Sequence, residues 1–429
     1  MDLFAARAQM AISLGFHIVF AAIRIAMPFF MAISHWKWLK TKEQVYLNLT
    51  KAWSRGVAIF FATGAVSGTV LSFELGLLWP KFMEHAGPIF GMPFSWEGTA
   101  FFLEAIALGI FLYGWDRIHP WAHWGSGLLV GVSGVLSALF VICANSWMNA
   151  PAGFDWVDGK AVNIDPWAAM FNRAALHQGL HMVIAAFCAT GFAVAGLHAI
   201  GLLKNPNSIF HAQAFQIALV IGAIAAIIQP LQGDRLAKRT AVLQPAKLAA
   251  MESLFRTAKP APLIIGGIPS EENQTVHYGI HIPKLLSFLA HGDFSSEVKG
   301  LDQFPREHWP PVAVTHIAFQ IMVGIGTLLA VIGGVSLFAL WKKPLWLRRR
   351  KALQLFAVCA PLGFIAIEAG WTVTEVGRQP WIIYGIMKTQ DAVTPMPGLV
   401  YPMALFTGVY LLLAFVVTWL MVRQFRHVG

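Results

Sequence analysis

Long apolar stretches recur along the chain, separated by shorter polar connections. Each stretch is about 20 residues long, which is the length that an α-helix needs to cross a bilayer core of about 30 Å. The alternation of apolar and polar residues that is typical of membrane β-barrels is absent, so helices must satisfy the backbone hydrogen bonds. The predicted spans are residues 9–33, 57–79, 97–115, 125–147, 177–203, 210–230, 312–341, 353–373 and 402–422. The pattern therefore predicts an all-α polytopic membrane protein, a bundle of nine transmembrane helices.

The connection between the sixth and seventh spans, residues 232–311, differs from the others. It holds nine Lys or Arg residues, eight Asp or Glu residues and one helix-like segment, PAKLAAMESLF. Loops longer than about 15 residues in a compact protein are usually functional or disordered, and we expect this one to be folded and functional. The sequence thus divides the chain into helices one to six (1–231), a hydrophilic loop (232–311) and helices seven to nine (312–429).

The composition excludes an ordinary soluble enzyme. Of the 429 residues, 57% are hydrophobic and only 12% are charged, whereas soluble proteins carry about 25% charged residues. The three cysteines, Cys143, Cys188 and Cys359, all lie in apolar stretches, and the sequence has no CxxC or CxxCH motif. This pattern excludes a disulfide framework, covalently attached c-type haem, and zinc or iron–sulfur sites built from thiolates.

The distribution of basic residues predicts the topology. The formal net charge is +10, and the basic residues concentrate in the connections after the first and seventh spans and in the C-terminal tail. They are Lys37, Lys40, Lys42, Lys51, Lys342, Lys343, Arg348, Arg349, Arg350, Lys351, Arg423 and Arg426. Because positively charged connections stay in the cytoplasm, we expect a cytoplasmic C-terminus, with the N-terminus and the loop outside. The positive charge therefore indicates no nucleic-acid partner.

Polar residues at membrane depth are the candidate functional groups, since ionisable side chains there are costly and usually functional. They are His17, Glu74, Glu97, Glu104, His181, Met322, Glu368, Glu375 and Arg378. With the predicted topology all of them fall towards the outer side of the membrane. Imidazole and thioether groups at one level of a helix bundle suit axial ligation of haem iron. The residues therefore favour a haem centre.

Each candidate also has a structural interpretation. A single intramembrane histidine is about as often an interhelical hydrogen-bonding contact as a ligand, and most methionines merely fill packing gaps. Glu97 and Glu104 are seven residues apart, as are Glu368 and Glu375, so each pair shares a helix face. Such a face suggests a proton route or a metal ligand. For Glu74 and Glu97 the alternative is a carboxylate in the headgroup region.

Two arginines carry separate hypotheses. Arg378 lies in GWTVTEVGRQPW beside Trp371 and Trp381, where it is either an interfacial anchor or a bidentate ligand of haem propionates. Arg24 lies seven residues after His17 and therefore on the same helix face. Because an arginine in the membrane needs a partner, we predict that Arg24 pairs with a carboxylate or a haem propionate.

Six segments of the chain together resemble a known family. They are RAQMAISLGFH (7–17), WEGTAFFLEA (96–105), HMVIAAFCATGF (181–192), QPAKLAAME (244–252), FQIMVGIG (319–326) and a segment with GRQPW at its core (373–381). In this order they resemble subunit I of cytochrome bd-type quinol oxidases, in the form with a short quinol loop. That family has nine spans and a hydrophilic loop between the sixth and seventh.

The resemblance implies haem ligands at four positions. His181 and Met322 match the two axial ligands of a low-spin haem b. His17 and Glu375 match the protein ligands of the other two haems, a high-spin haem b and a haem d or third haem b, in an order that the resemblance leaves open. Gln320, two residues before Met322, stands where several relatives have arginine.

The resemblance also assigns the remaining candidates. Glu97 and Glu104 match carboxylates of a proton route to the oxygen site, and Trp371 and Arg378 match residues that pack against the haems. Lys247 and Glu252 match a polar pair of the quinol-binding loop, so that Glu252 could accept a proton from the quinol.

The activity implied is oxidation of ubiquinol or menaquinol at the outer face and reduction of O₂ to water with protons from the cytoplasm. Such an enzyme is electrogenic without pumping protons. The family resemblance implies a bacterial inner-membrane protein with a second membrane subunit as partner, and it leaves room for a small single-helix subunit.

Two other functions were weighed against the oxidase. A proton-coupled transporter would explain intramembrane carboxylates but favours inverted repeats and broken helices, and neither is evident in the sequence. A b-type cytochrome that only relays electrons would explain His181 and Met322 but would leave His17, Glu375 and the loop without a function. The sequence therefore favours the quinol oxidase.

Overall fold

The computed structural model describes residues 2–426, and most of them are helical. The helices are α1 (Asp2–Thr41), α2 (Gln44–Leu78), α3 (Pro80–Tyr113), α4 (Pro120–Asn149), α5 (Pro166–Met170), α6 (Ala175–Lys204), α7 (Ile209–Leu243), α8 (Pro245–Met251), α9 (Leu285–His291), α10 (Val312–Lys342), α11 (Arg350–Cys359), α12 (Leu362–Val376), α13 (Thr389–Ala392) and α14 (Val400–Arg426). Within residues 2–426, nine helical segments are long and apolar enough to cross a membrane. The predicted all-α bundle is confirmed.

The helices extend beyond the apolar stretches that predicted them. Helix α1 covers residues 2–41 rather than 9–33, because hydropathy marks only the part of a helix that lies in the hydrocarbon core. Helix α7 continues to Leu243, so residues 232–243, assigned to the loop from the sequence, are its last turns. The eighth span consists of α11 and α12 in succession, and the break falls at Ala360 and Pro361. Both residues keep helical backbone angles, but Pro361 has no N–H to continue the helical hydrogen bonds.

Small residues allow the central helices to approach closely. A Cβ atom added at Gly191 of α6 would lie 2.4 Å from the Cα of Gly222 in α7, so these two backbones meet without an intervening side chain. Four helices, α6, α7, α10 and α12, pack on one another in a ring, and α1 contacts α2, α4, α6 and α14. The candidate ligands are carried by α1, α6, α10 and α12.

Short antiparallel strands occur only in the connections of the described chain. They pair as β1 (Asp155–Val157) with β2 (Lys160–Val162), β3 (Leu263–Ile265) with β6 (Ile280–Ile282), β4 (Ile268–Ser270) with β5 (Thr275–His277), and β7 (Trp381–Ile383) with β8 (Met387–Lys388). The long loop has its own apolar core, which includes Leu248, Leu254, Leu286 and Val298. It is therefore a folded segment.

One face of α10 holds the long loop. The ring of His316, fully buried, lies between two backbone carbonyls: its Nδ1 is 2.8 Å from the Met251 oxygen and its Nε2 is 3.0 Å from the Gly266 oxygen. One turn later Gln320 accepts from the Gly266 amide (3.0 Å) and donates to the Ile264 oxygen (3.1 Å). Carbonyl oxygens only accept, so the His316 ring is the donor in this contact with the loop. His316 and Gln320 form what we call the α10 clamp.

Candidate functional site

His181 and Met322 lie on two of the four helices in the central ring, α6 and α10. The side-chain amide of Gln229 on α7 lies 3.2 Å from His181 Nε2 and donates to the His181 backbone oxygen (3.1 Å). A Cβ added at Gly233 would lie 3.6 Å from the His181 ring, and one added at Gly370 of α12 would lie 2.9 Å from the Met322 sulfur. Both candidate haem ligands, His181 and Met322, therefore face a glycine on a neighbouring helix.

The contacts of His17 define which ring nitrogen is available to a ligand. Ser67 on α2 donates its hydroxyl hydrogen to the Thr63 carbonyl oxygen (2.9 Å), and the same hydroxyl lies 2.9 Å from His17 Nδ1. Since that hydrogen is already used, Ser67 accepts from Nδ1, which leaves the lone pair on Nε2. A Cβ added at Gly68 would lie 3.0 Å from His17 Cε1. His17 is thus oriented as metal-ligating histidines usually are, with the other nitrogen hydrogen-bonded.

Glu375 and Arg378 form an ion pair at the end of α12. Glu375 Oε2 accepts from Arg378 Nη2 (2.6 Å), and its Oε1 accepts from Asn145 of α4 (2.6 Å). Each carboxylate oxygen keeps a second lone pair, so Glu375 retains the capacity to ligate. Arg378 Nη1 is buried without a partner in the described chain. Trp371 is half-buried and packs beside Ile367.

These donors fit iron porphyrins. Glycines face three of the four candidate ligands, and the guanidinium of Arg378 has an unused buried donor that suits a propionate. The imidazoles of His17 and His181 and the thioether of Met322 are ligand types that haem proteins use. Among residues 2–426, no group of three or more His, Cys, Asp or Glu side chains could hold a bare metal ion. A haem brings its own four nitrogen ligands and needs only one or two from the protein.

Arg24 and Glu104 confirm the prediction of a carboxylate partner for the membrane arginine. Arg24 donates from Nε to Glu104 Oε1 (3.2 Å) and from Nη2 to Oε2 (2.5 Å), with both side chains buried. A Cβ at Gly64 would lie 2.8 Å from Arg24 Cδ, so only glycine leaves room for this side chain. Glu97, two turns before Glu104 on α3, accepts from Ser137 of α4 (3.1 Å).

Glu74 is fully buried, which the headgroup interpretation did not anticipate. Gln9 donates to its Oε1 (3.0 Å), and Ser13 lies beside both Glu74 and Tyr410. Gln9, Ser13 and His17 recur every four residues. This spacing is a sequence signal, not used above, that would have predicted a polar stripe on α1. The sequence identified Glu368 as a candidate but did not predict that it faces α1. A Cβ added at Gly15 of α1 would lie 3.2 Å from Glu368 Oε2.

A cavity of about 140 Å³ opens between the long loop and the end of α12. The side chains that bear on its chemistry are Lys247, His308, Arg378, Gln379, Trp381 and Tyr384. Lys247 and Arg378, which are separated by more than a hundred residues in sequence, therefore meet at one cavity. Glu252 does not line it.

Lys247 and Glu252 are both buried, with opposite consequences for their pKa values. Lys247 donates to Asn149 Oδ1 (2.7 Å) and to the Thr374 oxygen (3.2 Å). Burial, and to a smaller extent the charge of Arg378, holds the pKa of Lys247 well below its ordinary range. Burial raises the pKa of Glu252 to about 8, and its Oε2 has no partner in the described chain. Burial therefore favours the neutral form of both groups.

Sequence reasoning missed the side chains that orient the candidates. Ser67, Gln229, Asn145 and Asn149 all come from neighbouring helices and contact residues far away in sequence. Each is an isolated polar residue within or at the end of an apolar stretch, which is a weak signal by itself. Sequence reasoning also missed His316. Its signal was the spacing of four residues to Gln320 in the first turns of a span, which predicts that the two side chains share a helix face.

Comparisons with known proteins find similarity along nearly the whole chain. The family model for cytochrome bd terminal oxidase subunit I matches residues 5–428. Cytochrome bd ubiquinol oxidase subunit 1 of Bacillus subtilis strain 168 is 32% identical over 448 residues, covering 99% of this chain and 94% of that protein. Cytochrome bd-II ubiquinol oxidase subunit 1 of Escherichia coli K12 is 28% identical over 493 residues, covering 98% and 95%. The structure of bd oxidase from Geobacillus thermodenitrificans matches with a TM-score of 0.94 and 36% identity, covering 99% of this chain and 98% of that chain.

Proposed function

Since the chain belongs to the cytochrome bd terminal oxidase subunit I family, we propose that it is the haem-bearing catalytic subunit of a terminal quinol oxidase. It oxidises a quinol at the cavity beside the long loop and reduces O₂ to water. The ligands proposed for the low-spin haem b are His181 and Met322. His17 and Glu375 are proposed for the high-spin haem b and for a haem d or third haem b.

One observation carries the proposal. A short part of α12 and its continuation contacts both the candidate haem ligands and the cavity beside the long loop. Gly370 faces the Met322 sulfur, the carbonyl of Thr374 accepts from Lys247, and Arg378 pairs with Glu375 and also lines the cavity. A donor of electrons bound in the cavity would therefore lie beside the residues that hold the electron acceptor.

The side chains of the cavity can bind and orient a quinol. A neutral amine has two hydrogens and one lone pair, and the two hydrogens of Lys247 are directed to Asn149 and Thr374. The lone pair can accept a hydrogen bond from a quinol hydroxyl. Trp381 offers an aromatic wall, and its carbonyl oxygen accepts from Arg378 Nε (3.3 Å). Glu252, with a pKa of about 8, can exchange a proton near neutral pH.

Haems held by His181 with Met322, by His17 and by Glu375 would supply the electron transfer and the oxygen chemistry. The chain's own contribution on the oxygen side is a route for protons. Glu97 with Ser137 and Glu104 with Arg24 are proposed to carry protons from the side opposite the loop. Each charge that crosses the membrane potential is worth about 2.3 kcal/mol per 100 mV, so uptake from that side makes the reaction electrogenic.

The proposed location is a bacterial cell membrane, with the N-terminus and the loop outside and the C-terminus in the cytoplasm. A second membrane subunit is the proposed partner. In the single chain, α10 and α14 expose large apolar side chains such as Phe338 and Phe415, which must meet either lipid or that subunit.

The visible spectrum of the purified protein, dithionite-reduced minus air-oxidised, tests the proposal together with quinol-dependent O₂ consumption. We expect both low-spin and high-spin haem signals. His181→Ala or Met322→Ala should remove the low-spin signal and leave the high-spin signals. A protein with no haem bands would be a transporter instead, and one with low-spin haem b alone would be an electron relay.

A further inference from the structure

His308 stands at the edge of the quinol cavity without an assigned role. It ends the 3₁₀ turn Arg306–His308, just before α10 begins at Val312. Its ring faces the indole of Trp381, with ring centroids 5.0 Å apart. Within residues 2–426 the ring nitrogens of His308 make no hydrogen bond, and the side chain is only half-buried. Both nitrogens are therefore available to a molecule in the cavity or to solvent.

The chemistry of quinol oxidation requires proton acceptors at this cavity. Conversion of a quinol to a quinone releases two electrons and two protons. Arg378 stays protonated and cannot accept, and burial raises the pKa of Tyr384, so that its phenol keeps its hydrogen. Glu252 does not line the cavity. The lining residues that can accept a proton are thus Lys247 and His308.

Lys247 and His308 differ in access to water. The Lys247 side chain is 5% exposed and is enclosed by Asn149 and the Thr374 carbonyl, so a proton that it receives has no direct exit to solution. His308 is half-exposed beside the cavity, and imidazole is the side chain suited to taking up and releasing protons near neutral pH. Its position connects the cavity with the aqueous phase on the loop side.

We propose that His308 is a catalytic residue that accepts one of the two quinol protons and releases it to the solution on the loop side. The inference rests on the proposed function. A quinol O–H bond breaks while an N–H bond forms at the imidazole, and the imidazole then returns its proton to water. The second proton passes to Lys247, the other lining residue that can accept one. The two electrons pass to O₂ as the final oxidant, and two quinols supply the four electrons that reduce one O₂ to water. Trp381, held by Arg378, is the positioning residue for the ring.

The test compares His308→Gln with His291→Gln in the complete, haem-loaded oxidase with its second subunit. His291 is an exposed histidine of α9 outside the cavity, so it controls for loss of a loop histidine. General acid–base groups contribute about 100-fold to 10,000-fold to a rate. We expect His308→Gln to lower kcat for quinol oxidation by about 100-fold with little change in KM, and His291→Gln to leave both unchanged.

Two further measurements separate catalysis from structure. The reduced-minus-oxidised haem spectrum should be the same in both variants, because His308 contacts no candidate haem ligand. In His308→Ala, added imidazole should restore part of the lost turnover, since the position is open to solution. Turnover of His308→Gln equal to that of the unsubstituted oxidase, or a loss in His308→Ala that imidazole does not relieve, would overturn the proposal. If the unsubstituted protein itself showed no haem and no quinol oxidation, the proposed function would fail instead.

Discussion

The buried carboxyl groups of this protein differ in what surrounds each of them. Glu104 is neutralised by Arg24 through two hydrogen bonds, whereas Glu74 has only the neutral amide of Gln9. Glu252 has an oxygen with no partner in the described chain. Because a buried charge without a partner is costly, the three sites differ in how readily each can hold a charge. The residues that surround each carboxyl group are distant from it in sequence. The environment of each carboxyl group is therefore set by its own contacts in the folded chain.

Glu252 should make the stability of the protein depend on pH. Its pKa rises from an ordinary 4.5 to about 8 in the folded state, so folding favours the neutral acid. The stabilisation is complete below pH 4.5, falls as the unfolded chain ionises between pH 4.5 and 8, and levels off above pH 8. The total loss is on the order of 4–5 kcal/mol.

Glu252→Gln should remove this decline, and unfolding followed at several pH values in detergent would show it. Glu272→Gln, at an exposed position of the same loop, is the matched control and should keep the decline. Equal slopes in the two variants would mean that Glu252 is ionised in the folded protein.

Pairs of helices place a glycine against three of the four candidate ligands, His17, His181 and Met322. Gly370 of α12 leaves space for Met322 of α10, and Gly68 of α2 leaves space for His17 of α1. The sequence showed these glycines as ordinary residues of apolar stretches, because their role depends on how the partner helix is rotated. The close approach of glycine and ligand can therefore be seen only in the packed structure.

Gly370→Ala and Gly68→Ala should separate the haem signals. A methyl group at residue 370 would lie 2.9 Å from the Met322 sulfur, and one at residue 68 would lie 3.0 Å from the His17 ring, so each forces its neighbour to move. We expect the first to perturb the low-spin signal alone and the second to perturb a high-spin signal alone. Gly324→Ala, where nothing lies within 4 Å, should change neither spectrum. Identical spectra for all three variants would contradict the ligand assignments.

The α10 clamp makes a second prediction at the scale of elements. His316→Ala removes the ring that donates to a loop carbonyl, Met251 or Gly266, at a cost of about 1–3 kcal/mol for a carbonyl left unsatisfied. We expect faster amide hydrogen exchange around residues 251–266 and a higher KM for quinol with unchanged haem spectra. His281→Ala, an exposed loop histidine, should have no such effect. Slow exchange retained in His316→Ala would show that the loop is held elsewhere.

At the scale of the whole molecule, the candidate sites and the basic connections lie at opposite ends. Nine alternating spans place the N-terminus and the long loop on one side, and the segment around Arg348–Lys351 on the other. The cavity proposed for quinol oxidation and the positive connections thus lie on different sides of the membrane. In the proposed function, protons released on one side and taken up from the other would store energy.

The topology predicts which segments a protease can reach. In sealed vesicles with the outer face exposed, cleavage should occur in the loop near Tyr278, whose side chain is 92% exposed, and not between Lys342 and Lys351. Vesicles of the opposite orientation should show the reverse pattern. Loop cleavage only in inverted vesicles would reverse the proposed orientation.

The sequence by itself determined the nine spans, the position of the long loop and the identities of the candidate ligands. It could do so because bilayer thickness and backbone hydrogen bonding constrain each segment locally, and because the motifs are contiguous. Only the tertiary structure decided that Arg24 pairs with Glu104, that Lys247 meets Asn149 and Arg378, and that Glu252 lies away from the cavity. These facts depend on the rotation and axial register of one helix against another, which side-chain packing over many distant residues fixes together.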